Sequence, residues 1–135
     1  MANVLVIEPN PVTLSIVESY LDMAGYRSLA VESIVDIDAA DPADPALWSE
    51  DCQYDLVIVD LSMLETGHCE SLLAIRDRLG TDAIPVIALA CPCISETPRY
   101  CRSLTGCGYA ACLIKPLDVH SVHQACAAAL GASAA

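Results

Sequence analysis

A length of 135 residues has room for one domain, and a hydrophobic fraction of 55% with 4% aromatics describes a core built from small and medium aliphatic side chains. Eighteen acidic residues against six basic ones give a formal charge of -12, a field that repels phosphate backbones and anionic lipid, so neither nucleic acid nor membrane is expected as a partner. No cationic, apolar leader opens the sequence and no apolar run is long enough for a membrane span, which makes a soluble, cytoplasmic protein the expectation.

The chain alternates short apolar runs with segments of helical period. "NVLVI" (3 to 7) predicts a strand that stops at Glu8, Pro9 and Asn10. Residues 11 to 24 follow as a helix, with Val12, Ile16, Tyr20 and Ala24 on one stripe, Leu14, Val17 and Leu21 beside it, and Gly25 as the stop. "YRSLAV" (26 to 31) is the second strand. The acidic connection "DIDAADPADPALWSED" is interrupted by two prolines and allows only a brief helix over 43 to 49. "YDLVIVD" (54 to 60) is the third strand, and residues 68 to 79 form a helix carrying Leu72, Leu73, Ile75 and Leu79 that ends before Gly80. "IPVIALA" (84 to 90) is the fourth strand. A short helix over 97 to 106 has Thr97 as N-cap and Pro98 at the first helical position, where a missing amide costs nothing. "YAACLI" (109 to 114) is the fifth strand, and a helix over 118 to 130 carries Val119, Val122, Cys126 and Leu130. The last residues, "GASAA" (131 to 135), read as a frayed tail behind a core of about 3 to 130 in a single domain spanning 1 to 135.

Near-continuous runs of Val, Ile and Leu suit parallel strands covered on both faces, and parallel neighbours need crossover helices. The expected fold is therefore an α/β doubly wound sheet, in which ligands bind beyond the carboxyl ends of the strands. Three charges stand there: Glu8 after strand one, Asp60 at the end of strand three, and Lys115, the sole lysine, after strand five. A carboxylate acceptor, a second carboxylate for a cation and an ammonium for a phosphoryl oxygen together make a phosphotransfer site. A dinucleotide enzyme would need a glycine-rich turn after strand one, and "IEPNPVT" has none, so no enzyme is expected.

The eight cysteines, Cys52, Cys69, Cys91, Cys93, Cys101, Cys107, Cys112 and Cys126, contain no CxxC pair and are expected to be reduced, small, buried residues. The alternative is a redox or metal sensor on Cys91, Cys93, Cys101 and Cys107, joined by His120 or His123, or on neighbouring thiols of Cys91, Cys93 and Cys112. His120 and His123 otherwise read as solvated surface.

The acidic end of strand one, "DLVIVDLSM", and "KP" after strand five together resemble the receiver domains of two-component response regulators over residues 3 to about 130. "SIVESYLDMAGY" followed by "RSLA" resembles that family's first helix and second strand. The resemblance implies a flavodoxin-like sheet of five parallel strands in the order 2-1-3-4-5 with helices on both faces. It implies that Asp60 is the phosphoacceptor, that Lys115 contacts the phosphoryl group, and that Glu8 is the first of an acidic pair. It implies Mg2+ held by Glu8, Asp60 and the backbone carbonyl of Ser62, and a cis Lys115-Pro116 bond. The partners it implies are a histidine kinase or histidine phosphotransfer protein on one side and an unidentified downstream protein on the other.

Several matched positions depart from that pattern. Pro9 replaces the second acidic residue and brings no side-chain ligand. Ala90 replaces a hydroxyl residue at the end of strand four, Cys112 replaces the usual aromatic of strand five, and Leu64 replaces a common proline. The expected function is an atypical stand-alone receiver that takes a phosphoryl group on Asp60 and signals by protein contact. Its alternative is a pseudo-receiver that binds a partner regardless of phosphate.

Overall fold

The computed structural model describes residues 2–33, 54–61, 68–80, 82–90 and 97–134. The brief helix expected at 43 to 49, together with Cys52, Ser62, Leu64, Gly67, Cys91 and Cys93, lies outside the described residues.

Five strands form one parallel sheet in the order β2-β1-β3-β4-β5. They are β1 (Asn3–Ile7), β2 (Arg27–Val31), β3 (Leu56–Asp60), β4 (Val86–Ala90) and β5 (Ala111–Ile114). The helices are α1 (Pro11–Met23), α2 (His68–Leu79), α3 (Thr97–Cys107) and α4 (Val119–Ala134). β1, β3 and β4 are buried at every position, which is why their sequences run without polar interruption. β2 and β5 are the sheet edges and are only partly covered.

The strand pleat divides the core in two. Leu5, Ile7, Val57, Val59, Val86 and Ala88 pack on one face with Leu72 and Ile75 of α2 and Leu104 of α3. Val4, Val6, Leu56, Ile58, Ile87 and Leu89 pack on the other with Val17 and Leu21 of α1 and Val122, Cys126 and Ala129 of α4. Each fully buried aliphatic side chain contributes about 1.5–3 kcal/mol, so these two layers supply the main driving force for folding.

The inward stripe of α1 is not the expected one. Val17 and Leu21 are buried, whereas Val12 and Ile16 are exposed, so the period is helical but the phase is rotated by one position, about 100°. At its start Asn10 Oδ1 accepts hydrogen bonds from the Val12 and Thr13 amides at 2.9 and 3.2 Å, with Pro11 in the first turn. At its end Gly25 takes φ +82°, the left-handed conformation that lets the chain turn directly into β2. α4 is preceded by Asp118, whose carboxylate accepts the amides of His120 and Ser121 at 3.0 and 3.3 Å. It continues through Ala134, so residues 131–134 extend the helix where a frayed tail was expected.

Candidate functional site

Three strands deliver the three charges to one point at the carboxyl edge of the sheet. Glu8 follows β1 and is held in place as its amide donates to Val31 O of β2 at 3.0 Å. Asp60 is the last residue of β3, in register with Leu89 of β4. Lys115 follows β5, and its amide donates to Ala90 O of β4 at 3.0 Å. The Lys115-Pro116 bond is cis, as expected.

Lys115 Nζ stands 2.6 Å from Asp60 Oδ2 and 3.4 Å from Glu8 Oε1. Both carboxylates are buried, Glu8 at 1% and Asp60 at 3% exposure, while the lysine side chain keeps 20% of its surface open. The lysine is therefore the solvent-facing lid of a carboxylate pair. Burial pulls its ammonium toward neutrality, but Asp60 and then Glu8 outweigh burial and leave its pKa raised.

Two buried carboxylates beside one cation leave one negative charge uncompensated, and Glu8 absorbs the imbalance. Burial foremost, then hydrogen bonding and repulsion from Asp60, push its pKa to about 7, against a smaller opposing pull from Lys115. Glu8 Oε2 is buried and has no hydrogen-bond donor among the described residues, while Oε1 accepts the Asn10 amide at 3.3 Å. A proton on Glu8 would be shared with Asp60.

This has a measurable consequence in metal-free buffer. Because the folded pKa of Glu8 lies above its ordinary value of 4.5, its contribution to stability is full below pH 4.5 and is lost as pH rises through about 7. Glu8→Gln removes that titration. The variant is expected to match the parent near pH 4.5 and to exceed it at pH 8 by on the order of 3 kcal/mol in chelator-treated urea melts, at ~1.4 kcal/mol per pKa unit. A variant less stable than the parent at pH 8 contradicts this account of the site.

The donors present suit a hard divalent cation in kind, since two carboxylates are available and one buried oxygen, Glu8 Oε2, lacks a partner. Their number is short. Pro9 adds no oxygen, Asn10 spends its side-chain oxygen on capping α1, and among the described residues no group of three acidic, histidine or cysteine side chains is poised to hold a metal. An Asn followed by Pro before a helical period is the sequence signature of that cap.

The altered positions fall where the spacing predicted. Ala90 is buried at the end of β4 and offers the site only its carbonyl, which Lys115 occupies. Cys112 packs half-buried against the core layer of α2 and α3.

The cysteines depart from expectation. Cys69 and Cys107 form a disulfide linking α2 to α3, with Cα atoms 5.3 Å apart, inside the range that a bridge requires. Cys101 and Cys112 place their sulfurs 2.8 Å apart. Among the described cysteines, only Cys126 behaves as the expected free, buried core residue. Of the alternative cluster on Cys91, Cys93, Cys101 and Cys107, the first two lie outside the described residues, and the other two do not meet His120 or His123, because α3 and α4 lie on opposite faces of the sheet. Nor is His123 a solvated residue: its Nε2 sits 2.6 Å from Tyr20 O, joining α4 to α1.

A parallel sheet in this order, with acidic residues after β1 and β3 and a lysine followed by a cis proline after β5, is the fold of response-regulator receiver domains. Solved structures agree over nearly the whole chain. A receiver domain protein of Clostridium thermocellum superposes with a TM-score of 0.74 at 20% identity, covering 99% of this chain and 98% of that one. The receiver domain of a sensor histidine kinase of Pseudomonas aeruginosa, described with magnesium coordinated in its active-site cleft, gives 0.69 at 20% identity, covering 96% and 98%. A chemotaxis protein of Vibrio cholerae gives 0.71 at 18% identity, covering 96% and 98%. No sequence-family model matches the chain. No curated protein matches it either. Among the described residues, no helix is long and apolar enough to cross a membrane.

Proposed function

We propose that the protein is a receiver of two-component or phosphorelay signalling in which Asp60 accepts a phosphoryl group. A carboxylate oxygen of Asp60 attacks the phosphorus of a phosphohistidine on a histidine kinase or phosphotransfer protein. The P–N bond breaks, the imidazole leaves with the bonding pair, and an acyl phosphate remains. The observation that carries this reading is the 2.6 Å approach of Lys115 to Asp60 in a site closed on its inner side by Glu8. Lys115 would pass from the carboxylate to a phosphoryl oxygen, so that its charge follows the anion being formed. Glu8, Asp60 and the carbonyl of Ser62 would hold Mg2+, which supplies the positive charge that lets two anions meet. The output is a protein contact with a downstream partner, and the cytoplasm is the compartment where such a phosphodonor would meet it.

A pseudo-receiver is the second reading, favoured by one feature: Pro9 and Ala90 remove a metal ligand and a hydroxyl donor from the same edge. One experiment separates the two. Incubation with Mg2+ and a small-molecule acyl phosphate is expected to add one phosphoryl mass to the intact protein, labile to hydroxylamine and absent in Asp60→Asn. If the parent gains no adduct, the phosphoacceptor reading falls and the pseudo-receiver stands.

A further inference from the structure

The second cysteine pair has no part in phosphoryl chemistry. Cys101 lies midway along α3 and Cys112 in the middle of β5, and their sulfurs are 2.8 Å apart, so a covalent bond would need them to close by only roughly 0.8 Å. Both are partly accessible, whereas Cys126 is fully buried. α3 is already tied at its C-terminal end to α2 by Cys69–Cys107. Its link to β5 is the turn at Gly108, where φ is +119° and a Cβ would come within 3.3 Å of Leu72 Cδ2. β5 is an edge strand hydrogen-bonded only to β4, and it leads directly into Lys115.

The geometry points to a reversible Cys101–Cys112 disulfide, formed by exchange with a low-molecular-weight disulfide, that fastens α3 to β5. The thiolate of Cys101 attacks the small disulfide, forming a mixed disulfide and releasing one small thiol. Cys112 then displaces the second small thiol and closes the bridge. Two protein thiols lose two protons and two electrons, and one small disulfide becomes two thiols. Burial, and then the neighbouring Cys101, raise the Cys112 thiol to about 12, which makes the helical thiol of the pair the point of entry for the small disulfide. Closure makes α3 a helix covalently held at two points, and the surface it shares with β5 becomes rigid. None of this depends on a phosphoryl group at Asp60.

The test uses the full chain, first reduced with dithiothreitol and then equilibrated with glutathione disulfide, alkylated, and digested with trypsin and chymotrypsin. Cleavage after Arg102 and Tyr109 separates Cys101, Cys107 and Cys112 into different peptides. The expected product links the Cys101 peptide to the Cys112 peptide, with Cys126 alkylated throughout as the internal control. Amide exchange in residues 98–107 should slow by about tenfold on oxidation. Cys101→Ser, at a partly exposed helical position, should keep only the part of that slowing that the re-formed Cys69–Cys107 bridge supplies. Finding Cys101 and Cys112 both free when Cys69–Cys107 has formed, or either one linked to Cys91 or Cys93, overturns the proposal. So does an exchange change that persists undiminished in Cys101→Ser.

Discussion

Pro9→Asp is expected to bind Mg2+ tighter than the parent by about tenfold or more, because it adds a charged oxygen ligand to a site that has two carboxylates among the described residues. The physical reason is the imbalance already visible without metal. Glu8 and Asp60 face a single ammonium, and Glu8 responds by holding a proton rather than presenting a charge. At pH 7 a cation must therefore displace a proton from Glu8 in part of the population, which weakens binding. A third carboxylate raises the attraction for a divalent cation more than it raises the cost of that displacement. The same substitution adds like-charge repulsion in metal-free solution, so the variant should melt below the parent in chelator and recover with Mg2+. Isothermal titration at fixed pH measures the affinity. Equal affinities in parent and variant would show that Pro9 is not what limits metal binding.

Lys115→Met is expected to cost on the order of 3 kcal/mol at pH 8 and clearly less at pH 5. Breaking a buried ion pair by removing one partner leaves an uncompensated charge, a loss typically of ~3–5 kcal/mol, and the part-open position of Lys115 puts this case at the low end. The pH dependence follows from Glu8. At pH 5 it is protonated and neutral, so only Asp60 loses its counter-charge; at pH 8 the two carboxylates must either repel across the gap that Nζ filled or take up a proton from solution, and both cost stability. Urea midpoints at the two pH values measure the difference. A loss independent of pH would mean that the lysine acts through its aliphatic stem rather than its charge.

The sheet was legible from the sequence where burial is complete on both faces, because an unbroken Val, Ile and Leu run has few other uses. β1 matches its predicted span, and β3 and β4 differ from theirs only at their N-terminal ends. Edge strands were less sharply written. Tyr109 lies in the turn that follows α3 rather than in β5, since its amide donates to Leu104 O at 3.2 Å and its side chain is buried in the core. The charged site was readable because each member ends or follows a strand, so a correct order places all three together without knowing any side-chain contact. What stayed hidden depends on how helices cross. The phase of α1, the His123 contact with Tyr20 and both cysteine pairs are set by tertiary packing, and cysteines 38 and 11 residues apart carry no local signal of it.

That the chain's single lysine sits over the carboxylates means that the molecule carries its own chemical reporter. An amine-directed reagent has one side-chain target, and that target is one-fifth open and pinned by the residue on which a phosphoryl group would form. Its labelling rate reads the state of the pocket directly, without a partner protein or an assay of output. Occupancy of the pocket by metal or anion becomes a change in the reactivity of one nitrogen.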